Sequence, residues 1–214
     1  MKKIPVFLSV FSFLLFASCS NKSEIRIACV GDSITEGAGI ENQFSNSYPS
    51  LLDGLLGDGF NVLNCGQGGA TMLKKSDHSY WNTNEMYNLL AFKPDIITIA
   101  LGTNDSKTHN WNADCYEQDY MAMIDMLKDS YPESEILICL PPPAFNHAWG
   151  INDSTITAGI IPILQRIATI HHLRVVDFYT PLTNSAALLP DGIHPDEAGA
   201  KVLADILYKA IINQ

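Results

Sequence analysis

The sequence predicts an α/β fold in which a parallel sheet carries helices on both faces. Five short apolar runs alternate along the chain with segments whose apolar residues recur at helical spacing. Several of these runs are apolar on successive residues, which is typical of parallel strands covered on both faces. No internal repeat or linker divides the alternation, and 214 residues suit one large domain. We therefore expect one domain with about five parallel strands.

Four of the five expected strands run up to a glycine or a proline, which favours an end there. The expected strands span residues 25–30, 61–64, 95–101, 135–140 and 173–177. Helical spacing is clearest over residues 116–127 and 198–211, and Pro195 suits the first turn of the second helix. Another helix is expected over 160–170, where Pro162 requires a start or a kink because it lacks a backbone N–H.

The charge balance excludes one class of partner. The chain has 13 basic and 23 acidic residues, which gives a formal net charge of −10. Nucleic-acid binding needs a basic surface to offset phosphate charge, so we expect no nucleic-acid partner. Five cysteines without CxxC spacing indicate neither a disulfide scaffold nor a metal site, and we expect no cofactor.

The N-terminal residues have the pattern of an export signal. Lys2 and Lys3 precede a largely apolar stretch at 4–16, which is too short for a comfortable membrane span. The stretch leads into Phe-Ala-Ser before Cys19, which resembles the lipobox of bacterial lipoproteins, although Phe16 stands where leucine is usual. An ordinary secretory signal with an incidental cysteine is the alternative.

The lipobox resemblance divides the chain into three parts. It implies a lipoprotein signal peptide at 1–18, a lipid-bearing Cys19 in a tether at 19–24, and a folded domain at 25–214. We expect an exported protein that is lipid-anchored to a bacterial membrane and faces the periplasm or the cell surface. Its contact with the membrane is then through the lipid alone.

Four short motifs lie where expected strands end or just before the last helix. In a parallel sheet the carboxyl ends of the strands meet at one edge, and functional groups gather there. Any one of the motifs occurs by chance, but three follow expected strands, and together they indicate one site. The motifs are Gly-Asp-Ser at 31–33, Gly-Gln-Gly-Gly at 66–69, Gly-Thr-Asn-Asp at 102–105 and Asp-Gly-Ile-His at 191–194.

Serine, histidine and aspartate in these motifs are the residue types of nucleophilic acyl transfer. The hydroxyl of Ser33 needs a base to take its proton, and His194 is of the residue type that titrates nearest neutral pH. Asp191 precedes His194 by three residues, so one turn of chain can bring its carboxylate to the other ring nitrogen. We expect catalytic roles for these three residues.

The same motifs supply donors for an oxyanion. The backbone N–H groups of Ser33 and Gly69 and the side-chain amide of Asn104 can converge on a negative oxygen formed during attack. Asp32 and Asp105 are expected to fix loop geometry instead. Structural explanations stay open, because Ser33 could cap a helix with Glu36 three residues later, and Asn104 could be a turn residue. Asp191 and Gly192 could likewise be a plain turn, with His194 as a cap before Pro195.

With these motifs in this order, the chain after the leader resembles the SGNH hydrolases, also called GDSL-type esterases or lipases. The resemblance implies a flavodoxin-like three-layer αβα sandwich and makes residues 25–214 the catalytic domain. It also implies the roles given above for catalysis (Ser33, Asp191, His194) and for the oxyanion hole (Ser33, Gly69, Asn104). A narrower resemblance, to the sialate O-acetylesterase-like branch that acts on acetylated sugars, rests on residues 101–106, 141–145 and 149–153.

The sequence therefore predicts a serine esterase that removes short acyl groups, above all acetyl, from carbohydrate esters through an acyl-enzyme. The expected partner is a small acylated substrate, an O-acetylated sugar. Loops that carry Trp81, Trp111 and Trp149 beside polar residues suit stacking on a sugar ring, or simple packing.

Three other functions stay open. One is a lysophospholipase or thioesterase that uses the same site. Another is a non-catalytic, sugar-binding lipoprotein. The third is a metal-dependent hydrolase in which carboxylates and a histidine of these motifs act as ligands, namely Asp32, Asp105, Asp191 and His194.

Overall fold

The sheet formed within residues 24–213 has five strands, all parallel. A computed structural model describes residues 24–213, so the expected signal peptide, Cys19 and nearly all of the tether lie outside the described residues and stay predictions. The strand order is β2-β1-β3-β4-β5. This confirms the expected parallel α/β fold. The strands are β1 (Ile25–Gly31), β2 (Phe60–Gly66), β3 (Ile96–Ala100), β4 (Glu135–Leu140) and β5 (Arg174–Asp177).

Helices fill the connections between the strands. The helices are α1 (Ser33–Glu36), α2 (Gln43–Asn46), α3 (Tyr48–Leu56), α4 (Asn84–Phe92), α5 (Ala113–Ser130), α6 (Asp153–Thr155), α7 (Ile161–His171) and α8 (Glu197–Ile212). One π-helical turn, Ile156–Ile160, joins α6 to α7. Within residues 24–213, no helix combines the length and apolar character needed to cross a bilayer.

Two hydrophobic cores, one on each face of the sheet, make the fold three-layered. Residues that alternate along β1 enter different cores, because successive side chains of a strand point to opposite faces. Ala28 and Val30 pack in the core covered by α4, α5 and α7. Ile27 and Cys29 pack in the core covered by α3 and α8. Both faces of the strand are thus apolar over residues 27–30, as the apolar run there predicts.

Strand β2 is longer than the predicted range of 61–64. Asn64 is polar but its side chain is fully engaged, since it donates to the carbonyl of Thr35 at 2.9 Å and accepts from Gly66 N–H at 2.9 Å. The ladder with β1 therefore continues through Asn64 to the pair Gly31 and Gly66. Both strands reach the functional edge of the sheet together.

The two prolines near helix starts behave differently. Pro162 lies in the first turn of α7, directly after the π-helical turn, which confirms the expected start there. Pro195 lies outside α8, so its predicted place in the first turn is wrong. Asp196 caps α8 instead, because its carboxylate accepts the N–H of Gly199 at 2.8 Å.

Candidate active site

Strand β1 ends in a capped single turn of helix that presents Ser33. Asp32 is the N-cap of α1, and its Oδ1 accepts the N–H of Ile34 at 2.9 Å. Ser33 is thus the first residue inside α1, and Asp32 rather than Ser33 caps the helix. The capping alternative for Ser33 is therefore wrong, and its hydroxyl is free to meet a base.

The end of β2 packs closely against this turn. A side chain at Gly66 could not be accommodated, because a Cβ there would lie 2.1 Å from the backbone nitrogen of Glu36 in α1. The carboxyl ends of β1 and β2 therefore approach each other backbone to backbone. This contact seats the glycine-rich loop at 66–69 beside Ser33.

Asp191, His194 and Ser33 form a continuous hydrogen-bonded relay. His194 Nε2 lies 2.8 Å from Ser33 Oγ, and His194 Nδ1 lies 2.7 Å from Asp191 Oδ2. The other oxygen of Asp191 accepts the backbone N–H of Ile193 at 2.8 Å and of His194 at 2.7 Å. The carboxylate thus holds both the ring and the backbone of the histidine.

The same contacts set the charge of Asp191. Partial burial acts to raise the pKa of its carboxyl group, but the hydrogen bonds from the backbone and ring of His194 and from Ile193 N–H outweigh burial and lower the pKa. Asp191 is therefore a carboxylate at neutral pH. In that form it can stabilise positive charge on the adjacent imidazole ring.

A backbone contact holds residues 191–194, which we call the histidine loop, against the loop that follows β4. Phe145 donates its N–H to the carbonyl of Gly192 at 2.7 Å. Gly192 has a φ of +86°, and a Cβ there would lie 2.3 Å from the carbonyl oxygen of Phe145. Only glycine fits this position, one residue after Asp191.

Asn104 lies beside the glycine-rich loop. It is 4% exposed, and its Nδ2 donates to the carbonyl of Ala70 at 3.2 Å. Ala70 directly follows Gly69, so the amide lies next to the loop expected to bind an oxyanion. Among the residues at 24–213, no acceptor engages the second amide hydrogen of Asn104. Among the hydrogen bonds within residues 24–213, none is donated by the backbone N–H of Ser33 or Gly69.

Asp32 and Asp105 have the structural role that the sequence predicts. Asp105 is fully buried and accepts the N–H groups of Met72 at 3.0 Å and Leu73 at 2.9 Å, which ties the Asn104 loop to the segment after Gly69. Burial raises the pKa of Asp32 to about 6 and that of Asp105 to about 7. Both groups are therefore costly to ionise.

Two contacts at the site escape sequence reasoning. Asn110 supports Asn104, since its Nδ2 donates to the Asn104 carbonyl at 3.2 Å and to Asp77 at 2.7 Å. The ring of Trp149 meets the ring of His194 edge-on, with centroids 5.3 Å apart. Asn110 lies in an irregular loop that carries no periodic signal. Trp149 lies in the loop between β4 and α6.

The carboxylates proposed as metal ligands are engaged in other contacts. Within residues 24–213, no three side chains among histidine, cysteine, aspartate and glutamate are grouped as metal ligands would be. Asp105 accepts hydrogen bonds from two backbone N–H groups, and Asp191 forms hydrogen bonds with His194 and Ile193. Cys29, Cys65, Cys115 and Cys139 are all free thiols.

The chain is similar in sequence to a characterised esterase. The chain is 41% identical over 206 residues to an acetylxylan esterase of Xylanibacter ruminicola, covering 87% of this chain and 43% of that protein. The chain thus spans less than half the length of that relative.

Solved structures share the fold at low sequence identity. An acetylxylan esterase from Geobacillus stearothermophilus has a TM-score of 0.71 at 22% identity, covering 89% of this chain and 95% of its own. A putative arylesterase from Agrobacterium tumefaciens also has a TM-score of 0.71, at 20% identity, covering 88% and 99% of the two chains. The GDSL-like Lipase/Acylhydrolase family model matches residues 29–202. With this match over most of its length, the chain belongs to the GDSL-like lipase/acylhydrolase family.

Proposed function

We propose that the protein is a serine ester hydrolase in which Ser33 is the nucleophile, His194 the general base and Asp191 the residue that orients the base. The relay of 2.7 Å and 2.8 Å contacts carries the proposal. Ser33 Oγ attacks the ester carbonyl as His194 takes its proton, and the protonated His194 then gives a proton to the departing alcohol. Water activated by His194 hydrolyses the acyl-enzyme and regenerates Ser33.

The oxyanion of each tetrahedral intermediate is bound by three donors. These are the backbone N–H groups of Ser33 and Gly69 and the side-chain amide of Asn104. Support for the first two comes from their lack of an acceptor among residues 24–213, since an unpaired N–H can serve an incoming oxygen. Support for the third comes from its bond to Ala70, beside Gly69.

The proposed substrate is a short acyl ester, above all an acetyl ester, of a carbohydrate hydroxyl. The relative named as an acetylxylan esterase supports this choice. A cleft of about 510 Å³ adjoins Gly69, where a Cβ would lie 3.8 Å from His78 Nδ1. Side chains that form hydrogen bonds line the cleft, as sugar hydroxyls require. They include Gln67, Ser76, His78, Ser79, Asn82 and Asn84.

One observation favours the alternative of a longer acyl chain, as in a lysophospholipase or thioesterase. A second cleft of about 390 Å³ near α1 is lined in part by Leu63 and Phe44, and Phe44 is 97% exposed. Apolar side chains in such a cleft would suit an alkyl chain. Substrate chain length therefore separates the two functions.

The decisive experiment is a chain-length series of p-nitrophenyl esters, followed by acetylated xylan and acetylated sialic acid. We expect the highest kcat/KM for the acetyl ester and release of acetate from a glycan. A preference for eight or more carbons, with no acetate released from either glycan, would establish the alternative. The sialic acid arm tests the narrower resemblance to the acetylesterase branch.

Covalent labelling tests the serine mechanism separately. A fluorophosphonate probe should label the wild type and Ser45→Ala, which removes an exposed serine of α2, but not Ser33→Ala. Activity should survive a strong chelator. Loss of activity in chelator with restoration by added metal, and labelling of Ser33→Ala, would favour the metal-dependent alternative.

We also propose that Cys19 carries a lipid that anchors the exported protein to a bacterial membrane. The lipobox-like residues before Cys19 support this. In a bacterial host supplied with radiolabelled palmitate, the full chain and Cys115→Ser, which removes an exposed free thiol, should carry label. Cys19→Ser should carry none and should leave the membrane fraction. An unlabelled wild type would indicate an ordinary secretory signal.

A further inference from the structure

The three tryptophans of the loops differ in what their rings contact. Trp81 donates its indole N–H to the Met72 carbonyl at 2.8 Å, and the ammonium of Lys74 lies 4.2 Å from its ring centroid. Trp111 occupies the space beside Gly159, where a Cβ would lie 2.5 Å from its ring. Both rings are thus part of the internal packing. Trp149 is 61% exposed and lies against His194.

The backbone that presents Trp149 is strained. Trp149 has a φ of +53°, and Asn146 and His147 have φ values of +66° and +49°. A positive φ is uncommon outside glycine and is a genuine outlier for a bulky residue such as tryptophan. Such strain persists only where surrounding contacts fix the backbone, and it concentrates at functional sites.

Contacts on both sides of this loop fix it. On one side, Ala144 N–H donates to Asp153 Oδ1 at 2.9 Å, and Phe145 N–H donates to Gly192 in the histidine loop. On the other side, Asn152 N–H donates to Ser106 Oγ at 3.0 Å. These contacts fix the loop at 145–150 relative to the histidine loop and to the Asn104 loop.

The edge-on contact leaves most of the indole surface in water beside the base. The ring planes of Trp149 and His194 cross at 61°, so the histidine covers only part of the indole. An exposed aromatic face in this place suits a ligand that is apolar on one face and rich in hydroxyls at its edge. A pyranose ring has that character, since its axial C–H groups pack on an aromatic face while its hydroxyls point outward.

We propose that Trp149 is the stacking platform for the sugar ring whose ester is cleaved, an inference that rests on the proposed function. The platform holds the ring beside His194, so the oxygen that leaves the acyl group departs next to the protonated Nε2. The competing role is structural, in which Trp149 only shields His194 from water. A shield affects every ester equally, whereas a platform affects only esters of ring-bearing alcohols.

The first test compares two substrates by acetate release, an acetylated xylooligosaccharide and ethyl acetate, which has no ring to stack. We divide kcat/KM for the oligosaccharide by kcat/KM for ethyl acetate. Trp149→Ala should lower this ratio on the order of tenfold, because KM for the oligosaccharide rises. Trp149→Phe should largely preserve the ratio because it keeps an aromatic face. Tyr87→Ala removes a 69% exposed aromatic residue of α4 and is the matched control. An unchanged ratio in Trp149→Ala would overturn the platform.

The second test needs no catalysis. Unacetylated xylotetraose is titrated into Ser33→Ala and into Ser33→Ala/Trp149→Phe while tryptophan fluorescence is recorded. We expect a saturable change in tryptophan fluorescence in the first protein. The second protein should show no such change, because it lacks the Trp149 indole and keeps only Trp81 and Trp111. No change in either protein would overturn the platform. A fluorescence change that needs Trp149, in a protein that releases acetate from no glycan, would keep the platform and reject the proposed function.

Discussion

The side-chain amide of Asn104 donates a 3.2 Å hydrogen bond to the backbone carbonyl of Ala70. Ala70 follows Gly69, so this bond couples two of the three proposed oxyanion donors, which lie on loops after β3 and β2. Asp105 adds two more hydrogen bonds between the same segments. Any displacement of one loop therefore disturbs both donors.

Replacement of Asn104 by alanine should lower kcat by about 10²–10³-fold, the usual effect of removing one oxyanion donor. The proposed nucleophile and base stay in place, so substrate binding should change much less. Steady-state kinetics with p-nitrophenyl acetate measure both quantities. Asn61→Ala, at the exposed amino end of β2, is the control and should keep the wild-type kcat. An unaltered kcat in Asn104→Ala would remove this residue from the site.

Ser33→Ala and His194→Ala should each lower ester hydrolysis by several orders of magnitude, and the double variant should be little worse, because the two residues act as one unit. The fold should survive in Ser33→Ala because Asp32, not Ser33, caps α1. Rates of acetate release and urea unfolding curves measure the two effects. Losses that multiply in the double variant would contradict a shared mechanism.

Asp105→Asn should act on both stability and turnover. The amide oxygen can accept only one of the two N–H groups that the carboxylate accepts well, and the NH₂ group faces the other donor. We expect the free energy of unfolding to fall by about 1–3 kcal/mol, with kcat falling more than KM rises. Asp53→Asn is the control, because its exposed carboxylate accepts a single N–H, from Val62. Wild-type kcat in Asp105→Asn would show that this contact does not position the oxyanion donors.

The protein should lose stability as pH rises from 5 to 8. Burial raises the folded-state pKa of Asp32 to about 6 and that of Asp105 to about 7, whereas unfolded carboxyl groups titrate at about pH 4. Between these values the folded state binds more protons than the unfolded state, so the free energy of unfolding falls as pH rises. The free energy of unfolding should level off about one pH unit above the folded-state pKa of Asp105, near pH 8.

Urea midpoints measured at pH 5, 6, 7 and 8 check this pH dependence. They should decrease over the series, and Asp105→Asn should show a shallower decrease because it has one titrating group fewer. Midpoints that rise across the series would mean that these carboxyl groups ionise without cost in the folded protein.

Much of the site follows from the parallel sheet. Strands β2, β1 and β3 are neighbours, so the motifs after them must lie side by side at one edge. The histidine loop is different, because it follows the edge strand β5 and is placed by the contact between Gly192 and Phe145. Sequence spacing places Asp191 against His194, but it carries no signal for a bond between loops that lie far apart in the chain.

The helices that the sequence pattern does not predict have weak local signals. Helix α3 contains Pro49 and Gly54, which disfavour a helix when read alone. Burial of Tyr48 and Leu52 in the core shared with α8 stabilises it nonetheless. The sequence also does not predict the left-handed backbone conformation of Trp149, since tryptophan rarely adopts it.

The order of the site residues along the chain determines when a growing polypeptide acquires its chemistry. Ser33, Gly69 and Asn104 belong to the first half of the chain, whereas Asp191 and His194 lie near its carboxyl end. Synthesis proceeds from the amino end, so the proposed nucleophile is made long before the proposed base. On the proposed mechanism, a product of premature termination before residue 191 would keep the serine and yet be inert toward esters. The proposed catalytic residues are therefore complete only once residue 194 has been synthesised.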